Sequence, residues 1–199
     1  RTMTQYASRK TVRGDFNHPP LGPKGSEIKL EQLGDQFWVE MADPDFVAKR
    51  LANPGRFDQF QQPPRVKRRI GLVTGSHHMQ VYWVPSEQGN LQHLFPYAFL
   101  FEQDRWVPFN TTFLRDPKIG DFTQLWNLNC MNCHATAGQP RPDQRRKTID
   151  TRAGEIGIAC EACHGPAQEH VAYYQNPLKR YSADRSDEAD PTIVNPAKL

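Results

Sequence analysis

Residues 130–134, CMNCH, and residues 160–164, CEACH, repeat one pattern, C-x-x-C-H, and together contain all four cysteines of the 199-residue chain. This pattern is the attachment signature of a c-type haem. Two thiols three positions apart on one helical turn can reach both vinyl groups of one porphyrin, and the following histidine supplies the proximal nitrogen ligand to iron. The sequence therefore predicts two covalently bound haems c. The attachment residues are Cys130, Cys133, Cys160 and Cys163, and the proximal ligands are His134 and His164.

Three other uses of paired cysteines remain open at this point. Two C-x-x-C pairs can hold one structural zinc ion, although the spacing of 26 residues between Cys133 and Cys160 is somewhat long for that pattern. An even number of cysteines can form disulfides outside the cytosol, and a thioredoxin-like redox motif would need a surrounding βαβ pattern that this sequence lacks. None of these uses requires a histidine after both pairs, so haem attachment is favoured.

The composition indicates a folded, loop-rich chain. Aromatic residues make up 11% of the sequence, which is too many for a disordered chain, and the 17 prolines exceed the usual share of about 5%. No run approaches the roughly 18 consecutive apolar residues of a membrane-spanning helix. The formal net charge of +3 is small for a nucleic-acid-binding protein. We therefore expect no membrane span in this chain and no nucleic-acid partner.

Patterning along the chain predicts a loop-rich α+β fold, in which a small antiparallel β region is followed by short helices packed around the two haems. The predicted regions are an extended arm over 1–26, a β-rich region over 27–115, a dihaem cytochrome region over 116–181 and an irregular tail over 182–199. Within them we predict a hairpin over 27–41 with its turn at Gly34-Asp35, a helix over 45–52, three or four antiparallel strands over 65–109, and helices over 122–129 and 166–175.

Beyond the two motifs, the chain resembles multihaem c-type cytochromes of bacterial periplasmic electron-transfer chains, which are sometimes fused to tetratricopeptide repeats. The resemblance runs from about residue 11 to about residue 172 and is most specific in the C-x-x-C-H motifs and in CEACHGP followed by His170. Weaker matching pieces are TVRGDF at 11–16, GSHHMQVYW at 75–83, RWVP at 105–108 and WN at 126–127.

This resemblance implies an electron carrier in the periplasm or another exported space, with redox proteins, other multihaem cytochromes or a larger complex as partners. Relatives often carry further C-x-x-C-H motifs on either side, so the chain is either a segment of a larger multihaem protein or a shortened relative. Because it begins with Arg1 rather than an initiator Met, we expect residues that precede it in the precursor.

Five other histidines are available as second axial ligands. In similar cytochromes a histidine at the place of His170 ligates a haem, usually the neighbouring one. His77 and His78 lie between two strand-like runs, so strand alternation should direct them to opposite faces and admit at most one to a haem; the resemblance favours His78. His93 is better explained as a core or surface residue, and His18 is better explained as a loop residue. Met79, whose thioether would raise the potential, is better explained by packing.

Three functions are compatible with these features. The favoured one is electron transfer through two haems with histidine on both faces of each iron. The second is a haem enzyme in which one open iron acts on a small nitrogen or oxygen compound, and the third is a haem-bearing structural subunit of a larger complex or filament. The number of second axial ligands separates the first two, because a carrier needs two and an enzyme leaves one position open.

Overall fold

The computed structural model describes residues 3–58, 61–112, 124–146, 148–183 and 190–196 of the chain. Small antiparallel sheets and several short helices make up a mixed architecture, as the sequence predicts. The strands are β1 (Thr4–Tyr6), β2 (Lys29–Leu33), β3 (Gln36–Ala42), β4 (Arg65–Arg69), β5 (Leu72–Thr74), β6 (Met79–Pro85), β7 (Gln92–Leu100), β8 (Arg105–Pro108), β9 (Ala135–Thr136), β10 (Pro142–Asp143), β11 (Thr148–Ile149) and β12 (Glu155–Ile156). The α-helices are α1 (Pro44–Ala52), α2 (Met131–His134), α3 (Glu161–His164), α4 (Gln168–Tyr174) and α5 (Pro177–Ala183).

A five-stranded antiparallel sheet, in the order β1-β5-β6-β7-β8, is the largest among the described residues. Alternate side chains of β6 point to opposite faces of this sheet. Tyr82 joins a core that includes Phe95, whereas Val81 and Trp83 join a second core that includes Trp126. Because Trp126 begins the helical segment that leads into the first C-x-x-C-H motif, the second core connects that motif to the sheet.

A three-stranded sheet, β2-β3-β4, contains the predicted hairpin. Its turn lies at Gly34 and Asp35, where Gly34 has a φ of 59° that favours glycine, so this prediction is confirmed. The stretch after Arg65 differs from expectation because it divides into two strands of different sheets. The Ile70 N–H still donates to Phe37 of β3, whereas the Gly71 N–H donates to Trp83 of β6. The region 65–109 therefore contains five strands instead of three or four.

The predicted extended arm is packed against the sheets over much of its length. Thr4–Tyr6 form an edge strand on β5, and Phe16 is only 1% exposed. The Phe16 ring lies edge-on to Phe37 at 5.0 Å and to Trp106 at 5.5 Å, with Tyr82 alongside. Burial of this aromatic ring attaches the arm to the core, which the Pro- and Gly-rich pattern around Phe16 did not indicate.

Helix α1 confirms the helix predicted over 45–52. Asp43 caps its N-terminus by accepting a hydrogen bond from the Asp45 N–H, and the chain leaves the helix at Asn53. Asp45 is buried and its carboxylate accepts hydrogen bonds from Ser86 Oγ and from His93 Nε2, the latter at 2.9 Å. His93 is therefore a core histidine with a partner, in agreement with the sequence analysis.

The second half of the described chain consists of short elements around the two motifs. Trp126–Cys130 form a π-helical turn, and Phe122, where the sequence predicts that this helix begins, lies outside the described residues. Helix α4 confirms the helix predicted over 166–175. The predicted boundary at residues 115 and 116 also lies outside the described residues, and the start of the predicted irregular tail belongs to α5. Within the described ranges, no helix has both the length and the apolar character to cross a membrane.

Candidate functional site

Both C-x-x-C-H motifs adopt the helical turn that the sequence predicts. In the first motif Cys130 ends the π-helical turn and directly precedes α2, which ends at His134. In the second motif the N–H groups of Cys163 and His164 both donate to the Cys160 carbonyl, at 3.2 and 3.0 Å. Each pair of thiols therefore lies on one turn with its histidine directly after it, which is the arrangement that attachment to one porphyrin requires.

The four cysteines are free thiols with unequal exposure. Cys130 is half-buried. Burial raises the pKa of its thiol above the ordinary value, and the neighbouring Cys133 adds a smaller increase. Cys133, Cys160 and Cys163 are exposed. Across the part of the chain that the structure describes, no three or more His, Cys, Asp or Glu side chains are grouped to hold a metal ion. The two cysteine pairs are therefore not assembled into the single zinc site considered above.

A two-stranded sheet joins the end of the first motif to the approach to the second. Strand β9 follows His134 directly and pairs with β12, so that Ala135 lies opposite Ile156 and Thr136 opposite Glu155. The Thr136 hydroxyl accepts a hydrogen bond from the Ala159 N–H at 2.9 Å and donates to the Gly157 carbonyl at 3.1 Å. Because Ala159 immediately precedes Cys160, these contacts hold the two motifs side by side.

A mainly apolar cavity of about 500 Å³ opens beside the first motif. Cys130 and His134 line one part of it, and Val81, Trp83 and Phe109 line another. The Nδ1 atom of His134 is buried and has no hydrogen-bond partner among the described residues, and burial lowers the pKa of this histidine. Burial therefore favours the neutral imidazole, the form that binds iron, and an apolar cavity with this donor set fits a covalently attached haem.

Another cavity, of about 1030 Å³, lies at the opposite end of β5 and contains none of the motif residues. Leu72, Trp126 and Ile156 are among its lining residues. Size alone does not make it the functional site, because the thiols and imidazoles that could hold a haem lie elsewhere.

The second motif is held by the segment that follows α5. His164 Nδ1 lies 2.9 Å from the Val194 carbonyl oxygen, and the Val194 N–H donates to the His164 carbonyl at 3.1 Å. Ile158, Val171 and Val194 are exposed apolar residues in this part of the chain. An imidazole held through Nδ1 keeps Nε2 for an iron ligand, so the donor set of this motif fits a covalently attached haem.

His170 lies on α4 and is held by the same segment. Its Nδ1 atom is 2.7 Å from Asp190 Oδ2, and its ring lies 4.6 Å from the ring of Tyr174. Hydrogen bonds from the Thr192 hydroxyl and N–H, with smaller contributions from His170 and Tyr174, lower the pKa of Asp190 to about 2. The carboxylate is therefore ionised beside His170 at neutral pH.

His77 and His78 do not lie on a strand, so the expectation that strand alternation directs them to opposite faces is wrong. Both are exposed in the loop between β5 and β6, where Gly75 has a φ of 109°. Gly75 and Met79 line the cavity beside His134, whereas His77 and His78 are not among its lining residues. The loop therefore borders the first site, with both imidazoles on its solvent side.

The remaining predicted candidates have ordinary structural surroundings. His18 is an exposed loop residue whose Nδ1 lies 2.7 Å from the Pro19 carbonyl oxygen. Met79 packs against the second core. Thr136, Asp190 and Val194 were not predictable as site residues, because no motif marks them; Asp190 and Val194 also lie in the stretch 182–199, whose pattern predicts an irregular tail.

Comparison with known proteins adds one match. Residues 115–165 match the family model described as cytochrome c554 and c-prime. No curated protein and no solved structure matches the chain. The matched residues contain both C-x-x-C-H motifs, so this part of the chain is similar to a c-type cytochrome family, in which haem c is covalently bound and electron transfer is the associated function.

Proposed function

We propose that the chain is an electron-transfer protein that carries two haems c, one at each motif. The observation that carries this proposal is the pair of complete donor sets, each with two free thiols and an imidazole on one helical turn. The hydrogen bonds of Thr136 support it further, because neighbouring motifs would bring neighbouring haems within a short distance of each other.

When bound, haem c supplies a one-electron couple between ferric and ferrous iron. The chain's own residues hold and shield it. Cys130 and Cys133 would form the first pair of thioether bonds, and His134 would ligate the first iron from within the apolar cavity. Trp83 and Phe109 exclude water there and lower the local dielectric, which tunes the potential. Cys160, Cys163 and His164 would perform the same roles for the second haem.

We assign the second axial positions to His170 and His78. His170 has its Nδ1 atom occupied by Asp190, which leaves Nε2 as the nitrogen that can bind iron. His78 lies in the loop that borders the cavity of His134, and the Phe101 N–H holds the backbone of the loop through the His78 carbonyl at 2.9 Å. His77 is the alternative donor from the same loop, and its Nδ1 lies 2.8 Å from Ser76 Oγ.

A second candidate function follows from the exposure of the same loop. Neither His77 nor His78 lines the cavity that contains His134. If the loop leaves the first iron without a second protein ligand, a small nitrogen or oxygen compound could bind there and react. Carbon monoxide binding separates the two functions, because a bis-histidine carrier binds none and an open iron binds one equivalent.

We further propose that the protein acts in the periplasm or another exported space and exchanges electrons with redox proteins such as other multihaem cytochromes. Covalent attachment to these cysteines takes place after export, and the match to a c-type cytochrome family is compatible with an exported protein. A pyridine haemochrome assay tests the central proposal. We expect two haems c per chain, and a value near zero would overturn it.

A further inference from the structure

The segment Asp190–Val194 contacts two histidines, His164 and His170, and in each of them the contacted ring atom is Nδ1. His164 Nδ1 lies 2.9 Å from the Val194 carbonyl oxygen, and His170 Nδ1 lies 2.7 Å from Asp190 Oδ2. A carbonyl and an ionised carboxylate only accept hydrogen bonds, so each Nδ1 must be the donor. In a neutral imidazole the proton then resides on Nδ1, and Nε2 keeps the lone pair that can bind iron.

The two acceptors are not equivalent. A carboxylate carries a full negative charge, whereas the Val194 carbonyl is neutral, so the hydrogen bond to His170 is charge-assisted. Such a bond increases the basicity of the imidazole as a ligand. A more basic ligand stabilises ferric iron relative to ferrous iron, and this lowers the potential at which one electron converts the ferric to the ferrous form.

The geometry around Asp190 indicates that its carboxylate is held in place. Oδ1 accepts hydrogen bonds from the Thr192 N–H, at 2.8 Å, and from the Thr192 hydroxyl. The Tyr174 side chain also donates to the carboxylate, and Oδ2 lies 2.7 Å from His170 Nδ1. The Asp190 side chain is 18% exposed and that of His170 is 35% exposed, so water only partly screens the interaction.

We propose that Asp190 is a positioning residue that keeps His170 protonated on Nδ1 and lowers the reduction potential of the haem iron that His170 ligates. This inference rests on the proposed function, because it takes His170 to be an axial ligand. It makes the two haems inequivalent, because among the described residues neither proximal ligand has a carboxylate partner: His164 Nδ1 pairs with a neutral carbonyl and His134 Nδ1 has no partner.

The test compares Asp190→Asn with Glu169→Gln in the haem-loaded full chain. Glu169 is an exposed carboxylate directly before His170 in α4, so its variant removes the same charge from the same neighbourhood. Redox titration followed by visible spectroscopy should show a higher midpoint potential for one haem in Asp190→Asn, with the other haem unchanged and with little change in Glu169→Gln. High-spin iron or carbon monoxide binding in Asp190→Asn alone would also support the positioning role.

Unchanged potentials and a parent-like spectrum in Asp190→Asn would overturn the inference, as would equal shifts in the two variants. Failure of the proposed function has a different signature. If the proposed function is wrong, the intact mass of these preparations will not include two haem groups. If only the inference is wrong, the chains will carry both haems and the potentials of Asp190→Asn will match those of the parent.

Discussion

The hydroxyl of Thr136 accepts a hydrogen bond from the Ala159 N–H at 2.9 Å, and this contact connects the two C-x-x-C-H motifs. Thr136 lies two residues after His134, and Ala159 lies directly before Cys160. The same hydroxyl donates to the Gly157 carbonyl, and Thr136 is only 5% exposed. The Thr136 side chain therefore satisfies two backbone groups in the segment that leads into the second motif. These hydrogen bonds set the position of the second motif relative to the first.

Replacing this threonine by an isosteric apolar residue should weaken the connection. Thr136→Val leaves a backbone donor and a backbone acceptor without their partner, so we expect the free energy of unfolding to fall by about 1–3 kcal/mol. Thr111→Val is the matched control, because Thr111 is exposed and water can replace its hydroxyl; its effect should stay within about 0.5 kcal/mol. Denaturant titration of both variants measures the difference, and equal values would show that Thr136 does not join the motifs energetically.

Each motif should account for one covalent haem. We expect the intact mass to exceed that of the bare chain by two haem groups, and each double variant, Cys130→Ala with Cys133→Ala or Cys160→Ala with Cys163→Ala, to lose one group. Mass spectrometry of the denatured proteins checks this, because thioether bonds survive denaturation. A mass that matches the bare chain with bound zinc would contradict the prediction.

Removing a second axial ligand should open one iron. His170→Ala and His78→Ala should each produce a high-spin signal at one haem and carbon monoxide binding that the parent lacks. His18→Ala serves as a control because His18 is an exposed loop residue, and its spectrum should match that of the parent. If His77→Ala opens the iron and His78→Ala does not, the ligand is His77. Stoichiometric carbon monoxide binding by the parent at one haem would favour the enzyme instead.

The buried carboxylate of Asp45 should stabilise the β-rich region in a pH-dependent way. Burial alone raises the pKa of Asp45, but hydrogen bonds from Ser86, the Glu87 N–H and His93 outweigh it and leave this pKa below the ordinary value. A lowered folded-state pKa contributes stability above the unfolded value of about 3.9, and this contribution is lost as the pH falls through the folded-state pKa.

Asp45→Asn should therefore lower the free energy of unfolding by about 2–4 kcal/mol at pH 7, and the difference from the parent should narrow below about pH 4. Asp35→Asn, at the exposed hairpin turn, should change it by less than about 0.5 kcal/mol. Thermal or denaturant unfolding over a pH series measures both variants, and a difference that stays constant with pH would contradict the assigned role of the ionised carboxylate.

Local patterns in the sequence predicted several elements well. The Gly34-Asp35 turn and the helices α1 and α4 all depend on residues within a few positions of each other. The passage of the chain from one sheet to the other between Ile70 and Gly71 was not predictable, because an unbroken strand-like pattern covers it. The burial of Phe16 was likewise missed, since the aromatic rings that surround it are distant in the sequence.

The sequence by itself determined the donor sets, because two thiols and an imidazole within five residues fall on one helical turn wherever the motif is placed in a fold. Only the tertiary structure decided which groups hold those donors. Thr136 and Ala159 are 23 residues apart, His170 and Asp190 are 20 apart, and His164 and Val194 are 30 apart. Hydrogen bonds over such separations follow no sequence period, since they form only after the sheet pairing and helix packing of the folded chain bring their partners together.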